Sequence, residues 1–504
     1  MNYTMDKLGK AKLCIVLLLA VSILISCQSP KNQEKEANKQ YNVLFIAIDD
    51  LRTELNCYGA SHIKSPNIDR LASQGVRFSS AHVQQAICMA SRASIMSGMR
   101  PESRGIYTGE ALEDLMPDVL TMNKFFQQNG YNIAASGKIY HYGVDTEKQF
   151  GENNMVPKKT WTGRGFVSEE AIKQIELNTE FGRGPAYESA DVHDTIYKDG
   201  INTLNAVRKL EALKKEDKPF FLAVGLTKPH LPFVAPKKYW DMYPEESILM
   251  PEVQEMPEHS NKHTMRLRGE LNSYYGIPQM YAAIDDSTAL TLRRAYYACV
   301  SYADAQVGYL LDQLDHLGLR ENTIVVLWGD HGYKLGDYGN WCKWSNMSID
   351  TNIPLIFSVP DGKTGGVSAI PVEALDIYPT LAELCGIEKP SHLEGKSLLP
   401  LLNDPDIALD STSYAYTLWP HNRTNYDKTI MGYSVKDGRF NYVEWVDLST
   451  GEILEKELYD HQLDPKETKN VIEDAQYKDI VARLAEKCKE RKVATDHDHK
   501  FKSL

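Results

Sequence analysis

Apolar runs of six or seven residues recur along the chain, and their alternation with amphipathic stretches constrains the fold more than any other feature. The runs occupy residues 42–48, 220–226 and 323–328. Continuous apolar runs of this length are typical of strands buried on both faces of a parallel sheet. The stretches predicted to be helical lie at residues 119–128, 195–215 and 288–317. The sequence therefore predicts an α/β fold with helices on both faces of a large, mainly parallel sheet.

Polar residues follow three of these strands directly. They are Asp49 and Asp50, Lys228 and His230, and Asp330 and His331. Ligands of open α/β sheets bind beyond the carboxyl ends of the strands, so we expect these residues to share one site. Two shorter strands, at residues 132–136 and 353–359, and a helix at residues 372–384 complete this part of the chain.

The pattern changes at about residue 405. Three segments alternate like antiparallel strands, at residues 414–419, 430–435 and 440–446, and a hairpin-turn signal separates the last two. A helix is predicted at residues 478–489. We therefore expect a large α/β domain at residues 41–404 and a smaller antiparallel subdomain at residues 405–504.

The N-terminal region has the pattern of an export signal. Three lysines precede an apolar run at residues 13–25, which is too short to span a bilayer comfortably. The run ends at Ser26-Cys27, which resembles a bacterial lipoprotein cleavage box, so residues 1–27 are predicted to be a lipoprotein signal peptide with lipid on Cys27. A plain signal peptide or a short anchor is the alternative. Residues 28–40 are polar and predict a flexible tether. We expect an exported bacterial lipoprotein, periplasmic or outer-membrane-anchored, that meets the membrane only through its lipid.

Charge and cysteine spacing argue against two other classes. The net charge is −12, whereas nucleic-acid binding requires a basic face, so no nucleic-acid partner is predicted. The eight cysteines include no Cys-x-x-Cys pair, which argues against a zinc ribbon or a thioredoxin-like site. Disulfides remain open, since the spacing does not pair the cysteines.

A short motif carries the most specific functional signal. The segment from Cys88 to Arg92 reads Cys-Met-Ala-Ser-Arg, and Gly98 and Arg100 follow as Gly-x-Arg. This pattern resembles the signature of the type I formylglycine-dependent sulfatases, with Ala90 where Pro is commoner. The resemblance implies that a formylglycine-generating maturation enzyme converts Cys88 to 3-oxoalanine (formylglycine).

Further motifs of the same family occur in the same order along the chain. They are Asp49-Asp50, Gly137-Lys138, His141, Lys228-Pro229-His230, Gly329-Asp330-His331 and Trp341-Cys342-Lys343. The resemblance extends over residues 41–470, and residues 330–360 are most similar to the iduronate-2-sulfatase branch of glycosaminoglycan 2-O-sulfatases. It implies an alkaline-phosphatase-like sandwich, with a sulfatase catalytic domain at residues 41–404.

The three aspartates of these motifs point to a metal ion. Asp49, Asp50 and Asp330 supply hard carboxylate oxygens, which favour Ca²⁺ or Mg²⁺, and they would repel one another without a cation between them. The resemblance adds His331 and the residue made from Cys88 to the ligands and implies one Ca²⁺ ion.

The resemblance also implies the catalytic roles. The hydrated formylglycine attacks sulfur, and Arg92, four residues from Cys88 on a predicted helix, holds it from the same helix face. The implied roles of the remaining residues are sulfate binding for Lys138 and Lys343, general acid for His230, and proton acceptor during sulfate release for His141.

The predicted substrate is a sulfated glycosaminoglycan oligosaccharide. The branch resemblance implies removal of the 2-O-sulfate of a uronic acid, saturated or unsaturated, at the non-reducing end of heparin/heparan or chondroitin/dermatan sulfate. A uronate carboxylate needs a further cationic anchor, for which His421 and Arg423 are the candidates. Three alternatives stay open: another sulfated sugar, a phosphoesterase of the same superfamily, and a non-catalytic glycan-binding lipoprotein.

Overall fold

The computed structural model describes residues 40–105, 107, 112, 116–141, 143–151, 165–265, 269–279, 282–407, 413–420 and 430–495. The predicted signal peptide, Cys27 and all but the last residue of the predicted tether lie outside the described residues. In the part of the chain that is described, no helix is long and apolar enough to span a membrane.

Strands and helices alternate through the first three-quarters of the chain. The strands are β1 (Asn42–Ile48), β2 (Val76–Phe78), β3 (Ala81–His82), β4 (Asn132–Gly137), β5 (Tyr187–Ala190), β6 (Phe220–Leu226), β7 (Phe233–Pro236), β8 (Thr323–Gly329), β9 (Lys334–Leu335), β10 (Trp341–Cys342), β11 (Leu355–Ser358), β12 (Gly366–Ser368), β13 (Val372–Glu373), β14 (Ala415–Pro420), β15 (Ile430–Lys436), β16 (Phe440–Asp447) and β17 (Ile453–Asp460). The helices are α1 (Pro66–Ser73), α2 (Cys88–Ser97), α3 (Pro101–Arg104), α4 (Met122–Gln128), α5 (Gly143–Phe150), α6 (Glu169–Leu177), α7 (Lys198–Leu213), α8 (Lys237–Trp240), α9 (Asp286–His316), α10 (Ser348–Thr351), α11 (Ile377–Leu384), α12 (Leu399–Asn403) and α13 (Lys478–Thr495).

The large sheet has the strand order β12-β2-β11-β8-β1-β6-β4. Strand β1 is parallel to both β6 and β8, and β4 is parallel to β6. Strand β11 runs antiparallel to both β8 and β2. The predicted mainly parallel sheet is therefore confirmed, with one strand reversed.

Helices cover both faces of this sheet because its central strands are apolar on both sides. Leu44, Ile46 and Ile48 pack into the core that contains α7 and α9. Phe45 and Ala47, at the alternate positions of β1, pack into the core that contains α2, α4 and α11. A strand at the centre of such a sandwich must be apolar at every position, which explains the continuous runs in the sequence.

A second, antiparallel sheet follows, in the order β14-β15-β16-β17. Helix α13 covers it, and Leu484 and Cys488 pack against Tyr442 and Leu458. Both sheets belong to one compact unit of the chain. The predicted small C-terminal sheet is confirmed.

One predicted helix is shorter in the structure, and one strand of the small sheet was not predicted. The helix predicted at residues 372–384 begins only at Ile377, because Val372 and Glu373 pair with β3 as a short strand. Strand β17 was not predicted, since its first half is exposed and its polar residues break the apolar alternation.

Candidate active site

The carboxyl ends of the central strands meet at one edge of the large sheet. Ile48 of β1 is in register with Gly329 of β8, so the residues that follow each strand are neighbours. The backbone N–H of Asp50 donates to Asp330 Oδ1 at 2.9 Å. Asp50 has a positive φ of 60°, which is uncommon for a residue other than glycine and turns its side chain into the site.

Cys88 is the first residue of α2 and reaches the same edge. It is buried, with Sγ 3.2 Å from His331 Nε2 and 3.9 Å from Asp50 Oδ1. Burial by itself would raise the pKa of the Cys88 thiol, but Lys138, Lys343 and His331 hold that pKa well below its usual value. The surroundings of Cys88 therefore favour negative charge at this position.

Arg92 lies one turn further along α2, and its side chain is fully buried. Its Nε donates to Asp330 Oδ2 at 2.8 Å, and its Nη1 donates to the carbonyl oxygens of Lys138 and, at 3.0 Å, Ile139. Arg92 thus ties α2 to β8 and to the segment after β4.

Three aspartates lie close together without access to solvent. Asp49, Asp50 and Asp330 are all 0% exposed. Burial and the neighbouring Asp49 raise the pKa of Asp330 to about 7, and burial raises the pKa of Asp50. Burial also acts to raise the pKa of Asp49, but Lys138, His230 and Arg92 bring it below its usual value. Among the described residues, Asp49 Oδ1 has no hydrogen-bond partner, although Arg92 Nη2 lies 3.6 Å away.

Lys138 enters the site from the end of β4 and pairs with Asp49. The approach depends on two glycines: a Cβ added to Gly137, whose φ is +84°, would lie 2.0 Å from the Gly225 carbonyl oxygen. That carbonyl accepts a hydrogen bond from the Lys138 N–H at 3.0 Å. The close contact of β4 and β6 therefore fixes where Lys138 emerges.

Lys343 enters the site on the segment after β10. Its Nζ donates to Asp50 Oδ1 at 2.9 Å and pairs with Glu270 Oε2 at 3.0 Å. The residues on either side of Lys343 both have positive φ, 69° for Cys342 and 85° for Trp344. Two departures of this kind within three residues, one of them at a bulky aromatic residue, are typical of functional sites.

His230 follows β6 and faces the same carboxylates. Its Nε2 lies 3.3 Å from Glu270 Oε1 and 3.9 Å from Asp50 Oδ2, and its Nδ1 contacts the Leu231 carbonyl oxygen at 2.6 Å. Burial would lower the pKa of His230, but Asp50 and Glu270 raise it to about 9. Lys228 supports this segment by donating to the His230 carbonyl oxygen at 2.5 Å.

The clustered side chains could hold a hard divalent cation. Asp49, Cys88, Asp330 and His331 each offer a ligand atom within 4.8 Å of the others, as do Asp50, Cys88 and His230. The three solvent-free carboxylates supply oxygen donors of the type that Ca²⁺ prefers, and Asp49 Oδ1 accepts no hydrogen bond from the described residues. The donor set therefore fits the predicted calcium ion.

Two family models match the chain. The sulfatase model matches residues 41–387, and the model described as N-sulphoglucosamine sulphohydrolase, C-terminal, matches residues 336–494. Iduronate 2-sulfatase of Homo sapiens is 31% identical over 555 residues, which covers 94% of this chain and 98% of that protein.

The chain belongs to the sulfatase family. Its fold is shared by a solved 2-O GAG sulfatase, with a TM-score of 0.67 and 23% identity over 91% of this chain and 93% of that one. It is also shared by a protein solved with its substrate D-glucosamine-2-N,6-O-disulfate, with a TM-score of 0.71 and 23% identity over 92% of this chain and 100% of that one. The predicted alkaline-phosphatase-like fold class is confirmed.

The structure of this sulfatase brings most of the predicted site residues together. Those that lie within one connected set of contacts are Asp49, Asp50, Cys88, Arg92, Lys138, His141, His230, Asp330, His331 and Lys343. For His141 the contact is a hydrogen bond that helps to lower the pKa of Cys88. His421 and Arg423 lie outside the described residues, so their predicted role stays a prediction.

One residue of the sulfatase site was missed by the sequence analysis. Glu270 contacts both Lys343 and His230, and those two cations overcome the effect of burial and lower its pKa to about 2. The segment around it carries no strand end and no recognised motif, so the sequence offered no signal for it. Only the folded chain places this carboxylate beside the two cations.

Proposed function

We propose that this sulfatase removes the 2-O-sulfate of a uronic acid at the non-reducing end of a glycosaminoglycan oligosaccharide. The substrate class is heparin/heparan or chondroitin/dermatan sulfate. The observation that carries the proposal is Cys88, buried among Lys138, Lys343 and His331 in a chain that is similar over 94% of its length to an iduronate 2-sulfatase. We further propose that Cys88 is converted to formylglycine by a maturation enzyme and that one Ca²⁺ ion binds beside it.

The cations at the site suit a sulfate ester. Lys138 pairs with Asp49 and Lys343 with Asp50, and both lysines lower the pKa of the Cys88 thiol. The same positive charges would hold the sulfate oxygens and stabilise the charge that develops on them during hydrolysis. Lys343 is only 2% exposed, so it acts with little screening by water.

The residues that would hold Ca²⁺ are Asp49, Asp50, Asp330, His331 and the residue made from Cys88. When bound, the ion supplies Lewis-acid polarisation and balances the buried carboxylates. Arg92 keeps Asp330 in place through the 2.8 Å contact of its Nε.

His230 is placed to donate a proton to the departing sugar oxygen. Glu270, which is not among the proposed calcium ligands, lies 3.3 Å from His230 Nε2 and acts to raise its pKa, which favours the protonated form that a general acid needs. We assign to His141, which hydrogen-bonds Cys88, the role of accepting a proton from the hydrated formylglycine when sulfate leaves. The net reaction is sulfate ester plus water giving alcohol, sulfate and one proton.

Three measurements test the proposal. Mass spectrometry of the peptide that contains Cys88 should show formylglycine, and Cys88→Ala should release no sulfate. A panel of 2-O-, 6-O-, 4-O- and N-sulfated disaccharides should give fastest sulfate release from the 2-O-sulfated uronate. Unmodified Cys88 throughout an active preparation would contradict the formylglycine assignment, and preference for a 6-O-sulfated glucosamine would contradict the uronate assignment.

Metal removal tests the calcium assignment. Exhaustive chelation with EDTA should abolish sulfate release, and added Ca²⁺ should restore it better than Zn²⁺, because the carboxylate donors are hard oxygens. Calcium should also raise the midpoint of thermal unfolding, since a ligand of the native state stabilises it. Full activity after chelation would rule out a metal role.

We also propose that the protein is exported and anchored through lipid on Cys27. The support is the Ser26-Cys27 pattern after a short apolar run. Cys27→Ser should move the protein from the membrane fraction to the soluble fraction of the expressing cells. An unchanged distribution would leave a plain signal peptide or a short anchor as the better interpretation.

A further inference from the structure

Arg183 lies at the outer end of a line of charged side chains that leads out of the site. Lys343 pairs with Glu270 Oε2, and Glu270 Oε1 is 3.3 Å from His230 Nε2 and 3.8 Å from Arg183 Nη1. The exposed fraction of the side chains rises outward along this line, from 2% for Lys343 to 17% for His230 and 40% for Arg183. Arg183 is therefore a partly exposed cation beside the site.

The backbone around Arg183 is fixed to the segment that carries Glu270. The Asn178 amide donates to the Arg183 carbonyl oxygen at 2.8 Å and to the Ser273 carbonyl oxygen at 2.9 Å. The Tyr275 N–H donates to the Gly184 carbonyl oxygen at 2.9 Å. These contacts hold the two segments together, so Arg183 has a set position relative to the site.

The guanidinium of Arg183 is held in place and still accessible to a ligand. It lies over the Tyr274 ring, 5.0 Å from the centroid, which orients its plane. Its 3.8 Å separation from Glu270 is longer than a hydrogen bond, so Glu270 neutralises it only in part. A planar guanidinium of this kind suits two-point binding of a carboxylate or a sulfate.

We propose that Arg183 binds the second anionic group of a doubly charged sugar, either a carboxylate or a second sulfate, while the first sulfate lies between Lys138 and Lys343. The proposal deepens the proposed function and rests on it for the placement of the first sulfate. A hexuronate 2-sulfate carries its carboxylate across the ring from C2, so a sugar that points its sulfate inward presents its second charge outward, towards Arg183.

Calorimetric binding to the full chain in a Cys88→Ala background, with Ca²⁺ present, tests the proposal without turnover. The first pair of probes is a 2-O-sulfated uronate disaccharide and its carboxyl-reduced counterpart. The second pair is glucosamine-2-N,6-O-disulfate and glucosamine 6-sulfate. Adding Arg183→Ala should weaken the doubly charged member of at least one pair about tenfold and its singly charged partner much less.

Matched variants separate binding from damage to the fold. Arg183→Gln keeps most of the side-chain volume and should lose the same discrimination, whereas Arg183→Lys should retain part of it. Arg70→Ala serves as the control, because Arg70, on α1, also has a partly exposed ion pair, with Asp312 of α9, and within the described part of the chain has none of the contacts of the site. It should change none of the affinities.

The binding results show whether Arg183 binds a carboxylate, a second sulfate or neither. A selective loss for the uronate pair identifies the carboxylate, and a selective loss for the glucosamine pair identifies a second sulfate. Equal loss within both pairs, no loss, or no binding of any probe would overturn the role of Arg183. Failure of the unmutated chain to release sulfate, with the Arg183 discrimination intact, would overturn the proposed function alone.

Discussion

At the scale of single residues, the pKa of His230, the proposed proton donor, depends on the acids around it. His230 is held between Asp50 and Glu270, which raise its pKa to about 9. Without those two carboxylates, burial would lower the pKa of an imidazole in this position. The two carboxylates therefore favour the protonated imidazole, the form that the proposed general acid requires.

His230→Ala should lower kcat/KM for a sugar sulfate by about 10²- to 10⁴-fold. An aryl sulfate with a good leaving group should lose far less, because its departing oxygen needs no proton. Steady-state kinetics on both substrates measures the difference. His62→Ala, which removes a surface imidazole bound to Glu54, is the control and should affect neither substrate. Equal losses for sugar and aryl sulfate would count against His230 as the acid.

Some residues in and beside the candidate site could be predicted from sequence motifs. The positions of others are seen only in the folded structure. Cys88, Lys138 and Lys343 stand in recognisable patterns, so the sequence could predict that they share a site. Glu270 and Arg183 stand in no such pattern, and their positions depend on how the chain folds after α6 and β7. A contact between segments this far apart leaves no signal in either one, so a single sequence could not reveal it.

At the scale of elements, the contact between β4 and β6 places Lys138. The contact has no room for a side chain at Gly137, which also has a positive φ. The sequence predicted the central strands of the large sheet and their positions well, because these strands are apolar throughout. The reversed direction of β11 was not predicted, since an apolar run carries no information about its own orientation.

Gly137→Ala should destabilise the protein by about 2 kcal/mol or more, and kcat/KM should fall because Lys138 moves with the Gly225 carbonyl. Gly130→Ala is the matched control: Gly130 has a similar φ of +88°, but its Cβ would meet no atom within 4 Å. The difference between the two variants in the free energy of unfolding, measured in urea, gives the energetic cost of the contact between an added Cβ at residue 137 and the Gly225 carbonyl oxygen. Equal destabilisation would show that backbone conformation alone accounts for the effect.

At the scale of the whole molecule, Glu467 joins the two sheets. It is 1% exposed and accepts hydrogen bonds from the Ser348 N–H at 2.7 Å, at the start of α10, and from the Asn441 amide at 2.7 Å, on β16. Burial would raise the pKa of Glu467, but its hydrogen bond to His461 and the charges of His461 and Lys436 lower it to about 2. The ionised carboxylate is thus a central contact of the interface between the large and small sheets.

Glu467→Gln should reduce the free energy of unfolding by about 3 kcal/mol at pH 7. Because the pKa is lower in the folded state than in the unfolded chain, this contribution is present above about pH 4.5 and is lost as the pH falls towards 2. Urea unfolding of both proteins between pH 7 and pH 3 should therefore show the gap between them closing in acid. A gap that does not change with pH would mean that hydrogen bonding, not charge, stabilises the interface.

Because Cys88 is buried, the proposed modification of its thiol must precede folding. Its side chain is 3% exposed, and every residue of α2 is buried, so a modifying enzyme cannot reach the thiol once the domain has folded. The proposed conversion must occur while the segment is still extended, before the domain folds. Oxidation and folding therefore compete for the same nascent chain, and the share of active molecules depends on which process is faster.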